Sequence, residues 1–246
     1  METAPRELDR PAFYALRPGG WRDIVTLLHP PYTAWHLSYV ALGAAAAPVI
    51  HADRLAAALG AFFLAVGISA HALDELSGRP LGTRLKRGTL IALAVTGLIG
   101  AVAIGVVGIV TVSPLLIPLV VAGAVLVPAY NLELAGGRLH SDAWFALAWG
   151  AFPAFTGYFV NALTIGIEGI LVAAACFLLS KAQRTLSTPA RELRRRTASL
   201  TGEQRLTDGS VVQLSAQRLS DPLERALSAM WLALVLLAVG LVAVKL

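Results

Sequence analysis

The sequence predicts an all-α protein, a polytopic bundle of about seven transmembrane helices with its amino terminus on the cytoplasmic side, and three observations predict it. Of 246 residues, 57% are hydrophobic and 14% charged, too apolar a balance for one soluble core of this size. The apolar residues gather into stretches of about 18 to 23 residues nearly free of charge, the length a helix needs to cross ~30 Å of hydrocarbon at ~1.5 Å per residue. With the amino terminus inside, 18 of the 20 Lys and Arg residues fall in cytoplasmic segments, and only Arg54 and Lys245 stand outside. That asymmetry accounts for the pI of about 9.8, and no nucleic acid is expected as a partner.

Residues 1–30 form a cytoplasmic or interfacial segment holding Arg6, Arg10, Arg17 and Arg22, with no apolar run long enough for a signal-peptide core. Pro11, Phe13, Tyr14 and Trp21 suit the headgroup layer; a solvated tail is the alternative. The bundle, residues 31–246, places spans at about 32–50, 55–73, 89–111, 113–130, 143–162, 163–180 and 226–244. Outer connections are short, around His51 to Arg54, Ile109 to Pro114 and Thr164 to Gly169, whereas the inner ones are longer and polar. Chemistry is therefore expected at the inner face.

The longest inner connection, 181–225, begins as a helical extension and carries Arg194, Arg195 and Arg196, a topology signal and anionic-lipid contact or else a ligand site. It then reads Thr207-Asp208-Gly209-Ser210 between short alternating stretches, which predicts a hairpin. The single cysteine, Cys176, lies in a span and leaves no intrachain disulfide or cysteine metal motif. Runs such as Gly43-Ala44-Ala45-Ala46-Ala47 and the set Gly100, Gly105, Gly108 predict close helix packing.

Polar groups converge at one depth. His36 sits about one turn into the first span; the second arrives with His71, Asp74 and Glu75; the fourth with Tyr130, Asn131 and Glu133; the sixth with Lys181 and Arg184. Ionisable groups cost at least about 2–3 kcal/mol each near the membrane centre and less near the interface, so each is a functional candidate. Residues three and four apart share a helix face, so His71 with Asp74 or Glu75 would hold one cation, or one would orient the other by a hydrogen bond. His36 would add a ligand if the first two helices are neighbours. Surface polarity at a helix end is the competing reading for that trio, and is weighed equally for Glu133. His140 and Asp142, at the start of the fifth span, read as a cap and loop.

These residues resemble the UbiA superfamily of intramembrane prenyltransferases. Pro31-Tyr32-Thr33-Ala34-Trp35-His36-Leu37 running to Leu42-Gly43-Ala44 is similar to that family's opening helix. Ala70-His71-Ala72-Leu73-Asp74 occupies the place of its first aspartate-rich motif, with Arg79-Pro80 following, and Trp149-Gly150-Ala151-Phe152-Pro153 to Gly157-Tyr158 resembles its Gly/Pro-containing fifth helix. His71 stands where the motif has its first Asp, and Asp74 matches the second. The segment matching the second motif, Lys181-Ala182-Gln183-Arg184 onward to Arg191-Glu192, holds no aspartate, and one further span follows instead of three.

The resemblance implies an enzyme acting on an isoprenoid diphosphate. Catalysis would involve His71, Asp74 and Glu75, and magnesium would sit on Asp74 and Glu75 with His71. His36, Asn131, Glu133, Lys181, Arg184 and Arg191 would bind substrate. Two alternatives remain beside it. One is a non-catalytic carrier of a polyprenyl phosphate or quinone. The other is a metal enzyme in which the imidazoles and carboxylates hold zinc or iron. The expected setting is multi-pass, in a bacterial or archaeal cell membrane; the sequence sets no oligomeric state.

Overall fold

A computed structural model describes residues 10–246, so Arg6 lies outside the described residues. The helices, in chain order, are α1 (Trp21–Leu27), α2 (Pro30–Ala46), α3 (Ala52–Leu76), α4 (Arg87–Thr111), α5 (Pro114–Asn131), α6 (Asp142–Ala162) and α7 (Ile167–Arg195). After the hairpin strands β1 (Thr201–Arg205) and β2 (Val211–Ser215) comes α8 (Ala216–Lys245). The expectation of a mostly helical bundle holds, and among the described residues six helices, α3 to α8, are long and apolar enough to cross a membrane. An integral membrane protein follows from that.

The first expected span, 32–50, is the element that differs. Its helix α2 has 17 residues and stops at Ala46. Ala47 precedes Pro48, and the proline ring disfavours helical backbone in the residue before it; Ala47 accordingly has ψ 152°. Seventeen residues rise about 26 Å, somewhat less than a hydrocarbon core. Rather than facing lipid, α2 is the most enclosed helix, with Trp35, Tyr39, Val40 and Ala44 buried among α6, α7 and α8. Glycine makes that enclosure possible. A Cβ on Gly43 would lie 1.8 Å from the Ala154 carbonyl oxygen, and one on Gly157 would lie 2.0 Å from that of Val40, so α2 and α6 cross backbone to backbone.

Two helices depart from α geometry at matching places. Phe63–Ala70 in α3 and Leu147–Ala151 in α6 are π-helical. Their wider turns disturb the regular carbonyl ladder, a feature frequent at functional sites. The sixth expected span begins later than 163, at Ile167, because Leu163 adopts a left-handed backbone that ends α6 and Gly166 caps the next helix. The hairpin forms where expected. Its strands pair Thr201 with Ser215 through Arg205 with Val211, and Gly209 takes φ 84° in the turn.

Arg54 and Lys245, the two basic residues expected to stand apart, meet at one end of the bundle. Arg54 donates to the Val160 carbonyl at 3.3 Å and Lys245 to that of Ala47 at 2.7 Å. The other end carries Arg184, Arg191 and Arg195 and is called the basic end below.

Candidate functional site

At the basic end lies a chamber of about 160 Å³, enclosed by α2, the end of α3, the start of α6, the polar half of α7 and the segment 11–14. His29, His36, His71 and His140 all line it, with Asp74 and four arginines.

Three of the imidazoles are oriented by backbone carbonyls. His36 Nδ1 lies 2.7 Å from the Trp149 oxygen, His71 Nδ1 3.1 Å from that of Gly67, and His140 Nδ1 3.1 Å from that of Tyr130. A carbonyl only accepts, so each Nδ1 carries the hydrogen and each Nε2 is left as the ring's other nitrogen, an acceptor while the imidazole is neutral. Trp149 and Gly67 belong to the two π-helical segments, and Tyr130 lies in the last turn of α5, where carbonyls lack helical partners. The irregular backbone therefore fixes the histidines.

His29 is the fourth, and no spacing or motif in the sequence marks it. It precedes Pro30-Pro31 in a left-handed conformation, φ 45°. That backbone turns its ring onto His71, 4.1 Å between centroids and 12° from parallel. Its Nδ1 shares a 2.9 Å hydrogen bond with the Tyr14 hydroxyl. Burial, then the facing His71, Arg195, Arg191 and His36, hold the His29 pKa well below 6.5. A histidine directly before a double proline was the only available signal.

The remaining expected residues separate into two groups. His36, His71, Asp74, Asn131, Arg184 and Arg191 come together in the chamber. Glu75, Glu133 and Lys181 do not. Glu75 is fully buried on the far side of α3 from Asp74, and its carboxylate accepts from Leu81 N at 3.0 Å, Thr83 N at 2.9 Å and Thr83 Oγ1 at 2.8 Å. Successive helical residues diverge by about 100°, so two adjacent acids rarely serve one site. Glu133 is exposed in the turn after α5, at φ 51°, and Lys181 is exposed on the outer face of α7. Ser141, rather than His140 or Asp142, caps α6 by accepting from Trp144 N. Asp142 instead pairs with Arg184 at 2.9 Å, and the Arg184 guanidinium lies over the Phe145 ring.

Arg194 is paired with Glu224 of α8. Arg191 donates to Thr188 Oγ1 at 3.4 Å and Arg195 to the Pro11 carbonyl at 2.8 Å; among the described residues, neither meets a carboxylate in an ion pair. Arg191, Arg195 and His140 share the chamber with Asp74. Gln183, on the same side of α7, is buried with its side-chain oxygen lacking a partner.

The magnesium that the resemblance implies would need several carboxylates directed at one point. Among the described residues no three His, Cys, Asp or Glu side chains are grouped to hold a metal ion. Glu75 is turned to the loop and Glu224 to Arg194, which leaves Asp74 as the one chamber carboxylate without either role. A magnesium site built on neighbouring carboxylates does not fit these residues.

A second cavity, about 140 Å³ and almost wholly apolar, lies between α3, α4, α5 and α6. Ala61, Ala65, Ala101, Gly105 and Phe152 line it, and Arg54 stands at its far end. Val66 and Trp149 line both cavities, so polar and apolar spaces adjoin at the two π-helical segments. Comparison with protein-family models, curated proteins and solved structures finds no match to this chain.

Proposed function

We propose that the protein is a UbiA-like membrane protein of seven spans, α2 included, that binds an isoprenoid phosphate and acts as a divergent prenyltransferase-type enzyme. The observation that carries this reading is the adjoining of the two cavities at Val66 and Trp149. A basic, imidazole-rich chamber suits an anionic head, and an apolar cavity beside it suits a hydrocarbon tail. In the transfer, the allylic carbon–oxygen bond breaks and its electrons leave with the phosphate; the acceptor's nucleophile bonds to that carbon. The acceptor's proton passes to a neutral imidazole Nε2, for which His36 and His71 are held in the required tautomer.

A second reading, a carrier that binds the same lipid without chemistry, is favoured by the engagement of Glu75 in the loop rather than the chamber. The two share the site and differ in whether the lipid phosphate is returned intact, which mass spectrometry of the bound lipid after incubation reads directly.

The shared site is tested with a geranylgeranyl phosphate carrying a photoreactive diazirine on its tail. Crosslinks are expected at Ala61, Ala65 or Phe152. Crosslinks confined to outward-facing positions such as Val107 and Leu236 would overturn the reading.

A further inference from the structure

We infer that the lipid headgroup is held directly by the guanidiniums of Arg191 and Arg195, with no divalent ion between protein and phosphate. This rests on the isoprenoid-phosphate reading and departs from the metal-bridged mode that the resemblance implies.

Of the chamber arginines, Arg184 is balanced by Asp142 and Arg194 by Glu224, each in a direct pair. Arg191 and Arg195 have no such carboxylate among the described residues. They stand four residues apart on α7, so they share one face, and like charges at that spacing repel. An anion between them removes the repulsion. Guanidinium forks match phosphate oxygens in pairs, whereas metal bridging needs neighbouring carboxylates that the chamber does not group.

The same balance sets the head's charge. Two guanidiniums set against the single carboxylate of Asp74 leave about one excess positive charge, which matches a phosphate monoester, near −1.5 to −2 at neutral pH, better than a more highly charged diphosphate. The hydroxyls of Tyr14 and Tyr32 line the same space and would donate to remaining phosphate oxygens.

The test uses the full chain in lipid nanodiscs, with geranylgeranyl monophosphate, geranylgeranyl diphosphate and inorganic phosphate as probes, each measured in EDTA and in magnesium. The expected result is that the monophosphate binds with the same affinity, within about twofold, in both solutions, and at least as tightly as the diphosphate. Replacing both arginines, R191Q with R195Q, is expected to weaken it by about tenfold or more, whereas R196Q, one residue beyond, leaves it unchanged. Binding only in magnesium overturns the inference and leaves the lipid reading standing, as does binding indifferent to the double substitution. No binding of either lipid in any solution overturns the lipid reading itself. Inorganic phosphate binding as tightly as the monophosphate would keep the arginine site and remove the lipid as its occupant.

Discussion

The two ends of the bundle hold similar polar residue types and use them differently. At the far end three polar side chains close helix termini: Asn161 accepts from His51 N at 2.8 Å, Arg54 donates to Val160, and Lys245 to Ala47. At the basic end some groups do the same work, Glu75 above all, but Asp74, Arg191 and Arg195 are left facing a space. Polar residues that finish the backbone's hydrogen bonds hold the fold, and those left facing a cavity are available to a ligand.

Glu75 and Asp74 allow the sharpest break of that comparison because they are neighbours in sequence. Glu75→Ala would strand three buried donors in the loop after α3, at about 1–3 kcal/mol each, so a loss near 3 kcal/mol or more is expected. It should appear as a large drop in apparent melting temperature, with lipid affinity retained in the fraction that folds. Asp74→Asn should do the reverse, leaving melting nearly unchanged while altering phosphate binding. Equal effects of the two substitutions on both measurements would erase the distinction.

The far end provides the milder counterpart. Asn161→Ala removes the acceptor that His51 N uses before α3, at an expected cost of about 1 kcal/mol, the scale of a lost helix-end hydrogen bond. Lipid affinity should not change, because Asn161 lines neither cavity. A loss of affinity there would show that the far end also serves the ligand.

How much of this was legible in the sequence follows from what each feature depends on. Spans such as 89–111 and 113–130, close to α4 and α5, depend on local hydropathy, and the helix-ending effect of Pro48 on α2 is equally local. The convergence of His36, His71, Asp74, Asn131, Arg184 and Arg191 follows from helix direction, since spans running in opposite senses bring their polar ends to one depth. Glu75 reads as a partner of Asp74 because a sequence shows that two acids are adjacent but not that the loop 77–86 returns to take up one of them. His29 leaves little trace in the sequence because its role depends on a left-handed backbone and on stacking with a residue 42 positions away. Tyr14, placed along the headgroups or in a solvated tail, instead reaches into the chamber to His29.

His29 also gives the comparison a pH axis, with the smallest expected effect. It is buried against His71 and faces Tyr14, Tyr32, His36, Asp74, Arg191 and Arg195 across the chamber, so its folded pKa lies well below the ordinary 6.5, burial being the main cause. A depressed pKa means that the unfolded chain binds the proton more readily. The stability contributed by neutral His29 is therefore complete above about pH 6.5, and is lost as pH falls from there through the folded value. The apparent melting temperature should decline on acidification across that window. His29→Asn keeps a side chain that tolerates left-handed backbone, and should flatten the decline without abolishing it, since the other chamber histidines remain. A decline of unchanged slope in the variant would mean that protonation of His29 is not resisted by the chamber, and that its stack on His71 opens readily enough for the charged ring to reach water.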